Sequence, residues 1–117
     1  MKNNWTTVKE WQYRGYTLQV KRCGYPQAVQ RVAPSLGVGY YTGYVIADKE
    51  IETYHDLDVH GGITYCERGA NGLSTYGFDC AHAGDSIDIQ DEAFAVAECE
   101  RLADAISAYA QPESADS

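Results

Sequence analysis

Only one long stretch of this 117-residue chain has a helical period, and it comes last. From Asp91 onward, Ala95, Cys99, Leu102, Ile106 and Tyr109 recur at i, i+4, i+7, i+11 and i+14, one stripe of a helix. Asp91 and Glu92 stand at its start, where acids suit the positive end of the helix dipole. Glu98 and Arg101 are spaced to pair at i, i+3, and Pro112 stops the run. Everything ahead of Asp91 is short, alternating and broken by Gly and Pro, the mark of half-buried strands. A lone helix must bury its stripe, and a sheet face is the partner this pattern offers. The expected class is α+β: an antiparallel sheet of four to five strands, built from two hairpins, with one C-terminal helix packed on one face.

The first hairpin reads as Trp11–Tyr13 and Tyr16–Val20 around Arg14-Gly15. Residues 1–9 are polar and read as a loose N-terminal arm, and Cys23-Gly24-Tyr25-Pro26 ends the hairpin. Residues 27–37 read as a loop or a short helix stopped by Pro34. Val38–Ala47 is the best strand in the chain, rich in aromatic and β-branched residues. Its two glycines predict a bulge or a close backbone approach. Asp48–Asp58 reads as an exposed acidic loop, with room for a single helical turn. Ile63–Glu67 and Leu73–Cys80 make the second hairpin around Asn71-Gly72. The whole chain, 1–117, is expected to be one domain, with residues 112–117 a disordered acidic tail.

Composition narrows the function. The net charge is −8, and it is uneven. Up to Ala47 there are six Lys/Arg against one acid; from Asp48 onward there are three against sixteen. Such a protein is repelled by phosphate backbones, so direct nucleic-acid binding is not expected. A dense acidic face can instead attract a protein that itself binds nucleic acid. Ten tyrosines against two phenylalanines suit half-buried sheet faces and wet binding surfaces alike. Trp5, Trp11, Arg14, Lys21 and Arg22 could form a small basic-aromatic patch on the first hairpin. The four cysteines lack paired spacing, and reduced thiols are expected. The start lacks the apolar core of a signal peptide. No run approaches the ~20 apolar residues a membrane span needs. The expected location is the cytoplasm.

Chemistry concentrates between Asp58 and Asp85, which hold two of three histidines and two of four cysteines. His60, Cys66, Cys80 and His82 are the candidate metal ligands, although their spacing matches no zinc finger and no cofactor is expected. His60 or His82 could act as a general base oriented by Asp58, Asp79 or Asp85, with Cys80 as nucleophile. The catalytic set, if the chain is an enzyme, is His60, Asp79, Cys80, His82 and Asp85. The competing account is a polar loop network locked by hydrogen bonds between glycine-flanked turns.

Asp58-Val59-His60-Gly61-Gly62-Ile63-Thr64-Tyr65 and Gly77-Phe78-Asp79-Cys80-Ala81-His82-Ala83-Gly84-Asp85 carry a resemblance. The pair resembles the signature of a group of small proteins encoded by phages, prophages and mobile elements. It covers roughly residues 11–106 and brings no catalytic assignment. The resemblance implies a phage-type protein in the host cytoplasm, and acidic proteins of that type include anti-CRISPR inhibitors. The expected function is therefore an acidic, non-enzymatic binding protein that inhibits a host defence nucleoprotein such as a CRISPR–Cas effector. It would present Asp48, Glu50, Glu52, Asp56, Asp58, Asp85 and Asp88 to a basic nucleic-acid-binding groove. The alternative is a small enzyme or ligand-binding protein acting on a nucleotide or another small molecule through the His/Asp/Cys set.

Overall fold

A computed structural model describes residues 4–34, 38–80 and 90–109. Five strands form one antiparallel sheet: β1 (Asn4–Tyr13), β2 (Tyr16–Gly24), β3 (Gly39–Ala47), β4 (Tyr65–Arg68) and β5 (Ser74–Asp79). Their order is β1-β2-β3-β5-β4, so the second hairpin joins the first through β5. A short helix α1 (Gln27–Val32) connects β2 to β3, and the long helix α2 (Glu92–Tyr109) follows the sheet.

The expected α+β architecture is the one observed. Arg14 and Gly15 both take positive φ, 56° and 81°, which matches the right-handed twist of a two-residue hairpin. The first hairpin is longer than its alternation indicates. Asn4 to Thr7 pair with Gly24 to Lys21, and a register shift between Thr7 and Lys9 separates them from the rest of β1. Residues 4–9 are thus strand and not a loose arm. The irregularity at Val8 breaks the period of two, so the outer half of β1 does not continue the pattern of Trp11 and Tyr13. The expected tail at 112–117 lies outside the described residues.

Alternation divides the sheet into two unlike faces. One carries Tyr16, Leu18, Val20, Val45, Ala47, Tyr76 and Phe78, all buried in one core cluster. Ala95, Cys99, Leu102, Ala103 and Ile106 of α2 press into it. Four of these belong to the predicted stripe. Its fifth member, Tyr109, is exposed, and its hydroxyl meets that of Thr53. Asp91 caps α2, its Oδ1 accepting the Phe94 N–H at 2.9 Å.

Gly43 sets how close α2 comes. It lies opposite Phe78 on the covered face. A Cβ there would stand 2.4 Å from the Phe78 ring and 2.8 Å from Cys99 Sγ. The close approach predicted for β3 is therefore a notch for the helix. In it the Cys99 thiol donates to the carbonyls of Gln19 on β2 and Tyr44 on β3, at 3.5 and 3.6 Å.

The segment 48–63 completes the covering layer. The buried Tyr76 hydroxyl donates to the Lys49 carbonyl and accepts from the Ile51 N–H, both at 2.8 Å. Ile51, Leu57, Val59 and Ile63 then fill the core beside α2, with a 3-10 turn at Tyr54–Asp56 between the first two.

Gly43→Ala is expected to destabilise the protein by roughly 1–3 kcal/mol, because neither Phe78 nor Cys99 can yield without disturbing the core. Urea denaturation measures this, and an unchanged midpoint would show that α2 is not seated in the notch. Asp91→Ala should cost about 1 kcal/mol through the lost cap, read in the same assay.

Candidate functional site

The covering layer carries most of the described carboxylates. Asp48, Glu50, Glu52, Asp56 and Asp58 are exposed along the 48–63 segment. Glu92, Glu98, Glu100 and Asp104 lie on α2. Several of them hold the layer in place. Arg101 bridges Asp58 at 2.7 Å and Glu98 at 3.2 Å, and Glu98 also accepts the His60 backbone N–H at 2.9 Å. Arg68 donates to the Ile51 carbonyl at 3.2 Å and sits 3.5 Å from Glu50. Asp48, Glu52 and Asp56 make no ion pair among the described residues and face water. Asp85 and Asp88 lie outside the described residues.

The expected basic patch on the first hairpin is divided between the faces. Trp11 Nε1 donates to Glu100 at 3.0 Å, and Tyr13 and Arg14 both bond Asp104. Trp5 and Lys21 line the opposite face.

The expected catalytic set is also divided. His60 belongs to the covering layer, its ring edge-on to Phe94 at 5.0 Å. Asp79 and Cys80 are consecutive along an extended strand and so point to opposite faces. Cys80 is buried in the core cluster, whereas Asp79 lines a cleft on the other side of the sheet. His82 and Asp85 lie outside the described residues. The metal set does not gather either. Cys66 pairs with Tyr76 across β4 and β5, four residues from Cys80. At about 3.3 Å per residue that separation is roughly 13 Å, too far for one tetrahedral ion. Among the described residues no group of three or more His, Cys, Asp or Glu could hold a metal. Cys99 is also a poor nucleophile: burial pushes its thiol up to about 12.

The uncovered face holds two concave features that the sequence reading missed. Two adjoining hollows of about 360 and 300 Å³ share Trp5, Tyr44 and Tyr65. One is completed by Gln19, Lys21, Ile46 and Thr75, the other chiefly by Tyr40, Thr42, Thr64 and Asp79. The signal was present in β3, where Tyr40, Thr42 and Tyr44 alternate with Tyr41, Gly43 and Val45. Recognising it required knowing which face α2 covers. Burial, followed by a hydrogen bond with Cys23, holds the Tyr40 phenol above its ordinary range, so it stays a neutral donor.

The Asp104 carboxyl lies below the ordinary carboxylate value, chiefly through its hydrogen bond from Arg14 and then through that from Tyr13. A lowered folded-state value means the contribution is present above the ordinary value of 3.8 and fades as pH falls through the folded one. Asp104→Asn should therefore lower stability at neutral pH and flatten the acid limb of the stability curve. Urea midpoints at neutral and acid pH measure this, and equal losses at both would exclude the ionic contribution.

Among the described residues no helix is long and apolar enough to cross a membrane. No protein-family model matches the chain, and no curated protein or solved structure matches it either.

Proposed function

We propose that the protein is an acidic, non-enzymatic binding protein whose covering layer occupies a basic nucleic-acid-binding groove on a host defence nucleoprotein, a CRISPR–Cas effector in the first instance. The observation that carries this reading is the position of the acids. Asp48, Glu50, Glu52, Asp56 and Asp58 follow one exposed segment stitched to the sheet at Tyr76, beside the acids of α2. Carboxylates fixed on one layer add their fields over a surface, which scattered ones do not. The phage-type context comes from the sequence resemblance. The division of His60, Asp79 and Cys80 between opposite sides of the sheet favours binding over catalysis by that set.

Association with a basic partner is expected to weaken as salt rises. Glu52 and Asp56 are the informative positions, because both are exposed and neither is tied into an ion pair among the described residues. Glu52→Lys with Asp56→Lys should weaken binding to the effector roughly tenfold or more and slow association, while the far-ultraviolet circular dichroism stays unchanged. Biolayer interferometry against the purified effector, with and without its target nucleic acid, measures both. Unchanged affinity, or binding that target nucleic acid does not compete with, would sink the reading.

A further inference from the structure

On the face of the sheet opposite the acidic layer, Lys21, Thr42 and Asp79 lie side by side on β2, β3 and β5, in one row across the strands. This polar row runs between two aromatic rows. On one side Trp5 meets Tyr40 edge to face, with centroids 6.1 Å apart and planes at 88°. On the other Tyr44 meets Tyr65 in the same way, at 5.7 Å and 90°. Tyr40 and Tyr44 are four residues apart on β3, so the aromatic rows stand roughly 13 Å apart along the strand. Trp5 comes from one edge strand and Tyr65 from the other, and the two wall the hollows from both sides. Both rings are substantially exposed, at 38% and 43%.

Thr42 marks this face as built for something. It is 3% exposed, and its Oγ1 is a buried side-chain atom with no hydrogen-bond partner among the described residues. Its strand position points it away from α2, and it lines the hollow beside Asp79. A buried hydroxyl without a partner costs free energy that a bound polar group would recover. Lys21 adds a cation that makes no ion pair among the described residues, its Nζ 5.2 Å from the Tyr44 ring centroid.

We propose that this face binds a nucleoside monophosphate. The cation of Lys21 beside the unpartnered hydroxyl of Thr42 is complementary to a ligand carrying an anion at one end and a polar ring at the other. The aromatic rows suit a flat heterocycle, since base–aromatic stacking tolerates any base. The base occupies the hollow of Thr42 and Asp79, a polar ring atom toward the Thr42 hydroxyl, and the phosphate reaches Lys21. The hollows are of a size ordinary for small-ligand sites. One lysine offsets part of a monophosphate's charge and far less of a polyanion's, so the net charge selects the free nucleotide over a nucleic-acid strand. This site is independent of the acidic layer, and neither reading requires the other.

Titration of the full chain with GMP and AMP, followed by tryptophan fluorescence and calorimetry, tests the proposal. Guanosine, inorganic phosphate and a short single-stranded RNA are the comparison probes. Saturable binding of at least one mononucleotide is expected, with each half-probe at least tenfold weaker. Lys21→Ala and Tyr65→Ala should each weaken binding about tenfold. Thr42→Val is the decisive variant. It should weaken nucleotide binding while leaving the thermal midpoint of the free protein equal or higher, because it removes a hydroxyl that has no partner. A purely structural Thr42 would lower that midpoint. The proposal is overturned if neither mononucleotide binds the folded protein, or if the RNA binds more tightly than both. It is equally overturned if sedimentation shows a dimer that Trp5→Ala or Tyr65→Ala dissolves, since the face would then belong to a second copy.

Discussion

The structure depends on the contact between Cys99 and the notch at Gly43. A helix packed on a sheet ordinarily rests on side chains. Here one missing side chain in the central strand lets α2 settle until the Cys99 thiol bonds the Gln19 and Tyr44 carbonyls. That depth brings Leu102, Ala103 and Ile106 into the core and sets the line of the whole helix. Tyr109, at the end of α2, stays exposed and meets the covering segment at Thr53.

The buried Tyr76 hydroxyl is the second anchor. It turns the acidic segment after β3 back over the sheet by serving both the Lys49 carbonyl and the Ile51 N–H. Without such a partner those backbone groups would enter the core unsatisfied. The acids of 48–58 therefore stay outward while Ile51, Leu57 and Val59 go inward. Covering one face so fully is what leaves the other, among the described residues, to Trp5, Tyr40, Tyr44 and Tyr65. The protein thus has two chemically opposite sides: a carboxylate layer, and an aromatic face with Lys21 and Thr42 at its centre.

Much of the fold was legible because periodicity is local. The stripe from Ala95 to Ile106, the Arg14-Gly15 turn and the β3 run each depend on neighbours a few residues apart. The outer half of β1 was not legible, since the irregularity at Val8 interrupts the alternation. The candidate site was the least legible part. Asp79, Cys80 and His60 looked like one cluster along the chain, but adjacent strand residues point to opposite faces, and His60 belongs to the layer over α2. The basic-aromatic patch failed for the same reason: Trp11 and Arg14 meet acids of α2, while Trp5 and Lys21 do not share their face.

The sequence by itself determined the long C-terminal helix, the two hairpins and the excess of acid after Ala47, because all of these follow from residue type and short spacing. Only the tertiary structure decided which face α2 covers. That choice rests on contacts between residues far apart in the chain, Gly43 and Cys99 among them, which no local pattern contains. From it follow the burial of Cys80, the placement of Asp79 on the open face, and the assembly of Trp5, Lys21, Thr42 and Tyr65 from four strands around two adjoining hollows.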